Sequence, residues 1–297
     1  MAGGLPIRFA TINLMTDNEE VPLIVAFVDD LLFTSKIGNV ARGLGYQVRW
    51  IGKEDELEGE EPPQGNRPGE PLSGKSGQLF QLLTAWQPAL LLFDLANTAV
   101  PWERWMAAIK SSPATRRIPI VAFGPHTDTE RMQRAQRNGA DAVWPRSRFT
   151  AQMPDLLQNH VRLPNWGAID AACDEPLSDL AHKGIELFNQ GEYYLAHDEL
   201  EEAWRRDHSA ARDLYRGILQ VGIAYYQIER GNYRGAMKML LRVRQWLDPL
   251  PDICRGVDVA QLREDAAVVQ DALLANGPGN LADLDRTLFK PVKLADG

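Results

Sequence analysis

Cysteine is almost absent: Cys173 and Cys254 are the only two in 297 residues. So low a number excludes a cysteine-rich metal cluster and a disulfide framework, and it makes a reducing compartment the default. No apolar run reaches the ~18–20 residues that a membrane helix needs, so no membrane span is expected. The opening stretch, "MAGGLPIRFATINLMTDNEEVP", has no basic segment followed by an apolar core. It does not read as a signal peptide. Residues 1–20 are read as a lead-in, and the expected location is cytoplasmic. Positive charge is in deficit, with 32 Lys and Arg against 40 Asp and Glu and a formal net charge of -8. A polyphosphate surface needs lysine and arginine in excess, so nucleic acid is not an expected partner.

What the chain does have is alternation. Continuous apolar runs lie at "LIVAFV" (23–28), "ALLLF" (89–93) and "IPIVAF" (118–123), and "YQVRWI" (46–51) and "DAVW" (141–144) complete five short strands. Runs apolar on both faces are those of strands covered on both sides. Helical-period segments fall between them, near 32–44, 76–86, 101–112, 128–138 and 149–162. Alternating strand and helix predicts a five-stranded parallel, doubly wound α/β sheet over 21–162. Asp29 and Asp30 close the first strand and Asp94 the third. The ends of such strands are where ligands bind. Three acids brought together there would repel one another unless a divalent cation neutralised them, and oxygen ligands suit magnesium.

These motifs resemble the response-regulator receiver domain, a flavodoxin-like fold. "FVDDLLFTSKI" is similar to its acidic-pair motif and "LLLFDLAN" to its phospho-acceptor strand. "IPIVAFGPHTD" and "NGADAVWPRSRF" are similar to its fourth and fifth strands. The resemblance implies Asp94 as phospho-acceptor, Mg2+ held by Asp29, Asp30 and Asp94, and a histidine kinase or another signalling protein as partner. It also marks three departures. The hydroxyl-bearing switch position falls on Gly124, the invariant lysine on Arg146 and the switch aromatic on Val143. Arginine is a planar fork rather than a compact ammonium, so the replacement is not equivalent. Two readings follow: a degenerate receiver serving as a docking or homodimerisation platform, or a receiver still phosphorylated on Asp94. "GEPLSGKS" (69–76) fits the phosphate-loop pattern but follows an acidic, Pro- and Gly-rich stretch rather than a buried strand. It is read as part of a flexible insertion near 52–75.

Residues 163–176 lack clean periodicity and are read as a linker. From 177 to 297 the pattern is helical, with helices near 177–189, 192–206, 209–230, 233–248 and 258–275, which predicts an all-α antiparallel bundle. "GEYYLAHDELEEA" and "GNYRGAMKMLLRV" form a weak repeat that aligns Gly191 with Gly231 and Ala196 with Ala236. In the first copy His197, Leu200, Glu201 and Trp204 share one helix face. Leu200 and Trp204 mark that face as buried, so His197 and Glu201 need partners there. Arg216 of the next helix is the expected partner of Glu201. Ala196, His197, Asp198, Glu201 and Trp204, then Arg216, Gly217 and Gln220, then Gly231, Asn232, Gly235 and Ala236, resemble the domain-of-unknown-function family number three hundred and nine. That resemblance implies a helical fold and no biochemistry.

Two functional readings of the helical half remain. In one, His197, Asp198, Glu201, Trp204, Arg216 and Gln220 form a polar seam that sets helix register and lines a groove for a protein partner. In the other, His197 with Asp198 or Glu201 holds a metal and activates water, as in a metal-dependent hydrolase. One helix supplies one histidine, and neither His182 nor His208 has matching spacing. No serine or cysteine sits in a nucleophile elbow, so no catalytic residue is assigned. The whole reads as a two-domain signalling or scaffold protein.

Overall fold

The computed structural model describes residues 21–59 and 73–295. The lead-in, most of the expected insertion and the first part of the "GEPLSGKS" segment lie outside the described residues.

The first half is a five-stranded, wholly parallel sheet in the order β2-β1-β3-β4-β5. The strands are β1 (Leu23–Phe27), β2 (Gln47–Trp50), β3 (Leu90–Asp94), β4 (Ile120–Gly124) and β5 (Ala142–Pro145). Helices α1 (Leu31–Gly43), α2 (Gly74–Trp86), α3 (Trp102–Ser111), α4 (Thr129–Arg137), α5 (Arg146–Ala151) and α6 (Met153–His160) cover it. β1, β3 and β4 are apolar at successive residues because each has a core on either face. Val25, Phe27, Leu91, Phe93, Ile120 and Ala122 belong to one core. Ile24, Ala26, Leu90, Leu92, Val121 and Phe123 belong to the other. On the first face Phe27 stacks on Phe93 at 4.1 Å and touches Trp105. On the second, Phe123 lies between Phe33 and Phe149. Residues 54–56, expected to loop out, form a 3-10 turn, and Leu57 beside them is buried. The single helix expected at 149–162 is two, because α6 restarts at Met153 with Pro154 in its first turn.

Residues expected to be a linker contain helix α7 (Trp166–Cys173). Its Ile169, Ala172 and Cys173 are buried in the core of the helical half. Helices α8 (Asp179–Asn189), α9 (Tyr193–Arg206), α10 (Asp213–Glu229), α11 (Tyr233–Leu247) and α12 (Val259–Asn276) follow. Sequential neighbours pack together from α8 to α12, α10 against both α9 and α11. α10 begins later than its periodicity suggested, after a 3-10 turn at Ala210–Arg212. The repeat is a repeated turn: Gly191 and Gly231 both have positive φ, 83° and 72°. Each donates its N–H to the residue three before it, Phe188 and Ile228, at 3.0 Å. Only a residue without a Cβ adopts that conformation at no steric cost. Where α10 crosses α11, a Cβ on Gly217 would lie 2.1 Å from Leu247 Cδ2, so glycine sets the spacing of the two helices.

Two cross-ties fasten the ends of the helical half. Cys173 and Cys254 are joined by a disulfide, a single cross-link that the cysteine count did not predict. Cys254 lies in a two-residue strand, Ile253–Cys254, that pairs antiparallel with Val257–Asp258. The tail returns to the bundle, where Phe289 stacks on Tyr225 at 4.2 Å. Asn189 and Val292 there exchange hydrogen bonds of 3.0 and 2.8 Å. No helix of the described residues is long and apolar enough to cross a membrane.

Candidate functional sites

At the carboxyl end of the sheet, Asp94 is the last residue of β3 and only 1% exposed. Its Oδ1 accepts the Ala96 N–H at 2.9 Å, and its Oδ2 accepts from the Arg146 guanidinium. Burial pushes the Asp94 carboxyl up from its usual range, while the Ala96 N–H and Arg146 pull it back. Arg146 opens α5, lies 4.6 Å above the Phe33 ring and reaches to 3.9 Å from Asp30 Oδ2. Asp30 is itself engaged, because its Oδ1 caps α1 through the N–H groups of Leu32 and Phe33. Asp29 is exposed.

The three carboxylates expected to share a magnesium ion therefore do not form a common ligand set. Among the described residues no three His, Cys, Asp or Glu side chains are grouped to hold a metal. The donors present do not fit the ion as arranged: a fixed guanidinium sits on the buried carboxylate and one neighbouring acid caps a helix. No third such side chain is grouped with His197 and Asp198 either, among the described residues.

The switch positions follow a steric logic. A Cβ at Gly124 would meet the Leu95 Cβ at 3.1 Å, so a hydroxyl-bearing residue fits only if Leu95 gives way. Val143 packs into one core of the sheet. The aromatic next to it, Trp144, packs into the other, with Arg148 4.1 Å above its ring.

A concavity lies in the helical half. A groove of about 390 Å³ runs between α9, α10 and α11. It gathers His197, Glu201, Trp204, Arg216 and Gln220, five of the six residues singled out from sequence. Its chemistry departs from a sealed seam. His197 is 30% exposed and its Nδ1 lies 3.1 Å from Asp198 Oδ1. Glu201, 37% exposed, accepts from Arg205 one turn on, at 3.0 Å, and not from Arg216. The local i,i+4 pair prevails because it needs no cross-helix geometry.

Arg216 stacks instead. Its guanidinium lies 4.0 Å from the Trp204 ring centroid and 4.7 Å from that of Trp246. Arg212 lies 4.8 Å from Trp204, and Arg117, from the loop before β4, 4.1 Å from Trp246. Arg212, Trp204, Arg216, Trp246 and Arg117 thus form an alternating ladder from the helical half onto the α/β half. Cation–π contacts of this kind contribute about 0.5–2 kcal/mol each according to burial. Beside it Gln245 donates to the Pro113 carbonyl at 3.2 Å, and α2 touches α11. Arg117, Trp246 and Tyr226 were not foreseen as site residues. One signal was available: Met239, Arg242 and Trp246 share an i, i+3, i+7 face of α11, which places a basic residue on an apolar stripe.

Comparison with known proteins bears on each half. Residues 181–239 match the family model described as Domain of unknown function (DUF309). A curated protein of Aquifex aeolicus (strain VF5), described as an uncharacterized protein, is 26% identical over 108 residues. That match takes in 36% of this chain and 32% of the relative, so the chain spans about a third of that protein's length. The signal receiver domain of a signal-transduction histidine kinase from Syntrophus aciditrophicus is 14% identical, with TM-score 0.36. It covers 47% of this chain and 89% of its own. The receiver domain of a sensor histidine kinase from Pseudomonas aeruginosa PAO1, solved with magnesium in its active-site cleft, is 14% identical with TM-score 0.36. It covers 47% and 97%. A response regulator from Thermotoga maritima is 10% identical with TM-score 0.34 and covers 48% and 98%.

Proposed function

We propose that the chain is a two-domain signalling or scaffold protein. Its receiver-like module acts as a docking platform, and its helical module binds a protein partner. The observation that carries this reading is the seat of Arg146 on Asp94. A phosphoryl group on a carboxylate needs positive charge that can regroup around three new oxygens. Here the charge is a tethered fork already bonded to the acceptor, and the adjacent Asp30 is spent on the cap of α1. Gly124 offers no hydroxyl, and Trp144 packs on the opposite face of the sheet from Val143. Both supply a reason for weak switching.

The shared boundary supports coupling between the modules. The loop carrying Pro113 and Arg117 touches α11 through Gln245 and Trp246. A change on the α/β side is therefore felt by a helix that lines the groove.

The test is exposure of the full chain to acetyl phosphate and Mg2+, read by intact mass, for the wild type and Arg146→Lys. The expected result is no phosphorylation of the wild type. Ready phosphorylation on Asp94 would return the protein to the switching class.

A further inference from the structure

The Arg–Trp ladder leaves the groove with a positive charge that no ion pair offsets. Its two arginines, Arg216 and Arg242, have no carboxylate within 4.0 Å among the described residues, and neither do Arg116, Arg117 and Arg212 beside them. This is five guanidiniums without an ion pair in a chain of net charge -8. The acid facing Arg117, Arg212 and Arg216 is Asp213; burial pushes its carboxyl up and those three arginines pull it back, whereas the charge felt by Arg242 is that of Arg116. Glu201, on the opposite wall, is already held by Arg205. Burial lowers Arg216 and Arg242 from the ordinary arginine value, and the positive charge of Arg116 lowers both further. Half-buried like charges that share one carboxylate carry a cost, and a bound anion relieves it.

A second observation points into the same space. Gln220, only 8% exposed, lines the groove, and its buried Oε1 has no hydrogen-bond partner. An orphaned buried acceptor costs about 1–3 kcal/mol unless a donor arrives. The far end of the groove is different in kind. Tyr226 and the exposed Tyr194 present their rings there, 5.6 Å apart. From Arg216 to Tyr226 is ten residues of α10, or about 15 Å at the helical rise. A volume of about 390 Å³ falls within the usual range for small-molecule clefts.

A cation would be repelled from this groove, and an apolar ligand would leave Gln220 and both guanidiniums without partners. The complementary ligand is elongated. It bears an anion with several oxygens at one end, an N–H or O–H donor in the middle and a planar ring at the other. Arginine forks match phosphate oxygens two at a time, and tyrosine faces accept planar rings. We propose that the groove between α9, α10 and α11 binds a phosphorylated nucleoside, with its phosphate on Arg216 and Arg242, a donor on Gln220 and its base against Tyr226. The site goes beyond the reading of the receiver-like module given above and stands or falls independently of phosphorylation at Asp94.

The test is isothermal titration of the full chain with adenosine 5′-monophosphate and guanosine 5′-monophosphate. Adenosine and inorganic phosphate serve as the separate halves. One nucleotide is expected to bind at one site per chain, with each half weaker by about tenfold or more. Arg242→Met and Gln220→Leu should each weaken it by about tenfold or more while the thermal midpoints of the unliganded variants show them folded. Should Arg242→Met fail to fold, Gln220→Leu decides. Neither heat nor a thermal shift with either nucleotide at millimolar concentration overturns the proposal. So does binding that both substitutions leave unchanged. Phosphate alone binding as tightly as the nucleotide overturns the nucleoside assignment.

Discussion

Replacement of Arg255 by methionine should be among the most damaging single changes in the helical half. Arg255 is 4% exposed at its side chain and lies at a junction of three segments. It donates to the Ala172 carbonyl at 3.1 Å, Asp207 Oδ2 at 2.6 Å, Ser209 Oγ at 2.9 Å, Glu175 Oε2 at 3.3 Å and the Tyr215 hydroxyl. Methionine fills much of the volume and satisfies none of these acceptors. The main cost is Asp207, a carboxylate only 14% exposed that would lose its counter-ion. Breaking a buried pair by removing one partner costs about 3–5 kcal/mol. Asp207 keeps the Ser209 N–H at 2.7 Å, so about 3 kcal/mol is the reasoned figure.

The pH dependence supplies a second check. Burial alone would raise the Asp207 carboxyl, but the Ser209 donors and Arg255 more than offset it and hold it below its ordinary 3.8. A depressed carboxyl stabilises the fold above the unfolded value, and that contribution is lost as pH falls through the folded value. The gap between wild type and Arg255→Met should therefore be full at neutral pH and narrow below about pH 4. Urea titrations followed by far-UV circular dichroism measure both. Arg206→Met is the control, because it removes an exposed pair with Glu202 and should cost under about 0.5 kcal/mol. An Arg255→Met variant within about 1 kcal/mol of wild type at pH 7 would refute the reasoning.

Arg146→Met should leave Asp94 buried without its cation and cost about 2 kcal/mol at pH 7.5. Because burial raises the Asp94 carboxyl, much of that loss should return in urea titrations as the pH is lowered and the group takes up a proton. Gly217→Val drives a side chain into Leu247 and should lower the urea-unfolding free energy by about 2–3 kcal/mol, with the groove helices α10 and α11 spread apart. Reduction of the disulfide between Cys173 and Cys254, 81 residues apart, should cost about 2–4 kcal/mol, read as a fall in the denaturation midpoint on adding dithiothreitol.

Much of the α/β half was legible because its signals are local. A strand buried on both faces is apolar at successive positions, and β1, β4 and β3 up to Asp94 are written that way. The paired turns at Gly191 and Gly231 were likewise visible, since a positive φ selects glycine within a few residues of a helix end. The groove was half legible. His197, Glu201 and Trp204 share a helix face that anyone can count out, whereas the partners of that face cannot be counted. Glu201 had two arginines to choose from, and the nearer one on its own helix won. The Arg–Trp ladder joins three helices and a loop about a hundred residues away, and no periodicity spans such a distance. Arg255 was missed for the same reason: its acceptors come from Ala172, Glu175, Asp207, Ser209 and Tyr215. Helix α7 was missed because eight residues containing Gly167 give too little pattern.

The bond between Cys173 and Cys254 also changes what the backbone is as an object. Residues 174–253, which hold α8 to α11 and so every wall of the groove, lie within a closed covalent ring. A protease that nicks the turn at Gly191 or Gly231 would convert that ring to a branched chain of unchanged mass apart from one added water, migrating as a single species until a thiol is supplied. The walls of the groove would stay tethered to one another after such a cut, so ligand recognition and an unbroken polypeptide need not be lost together.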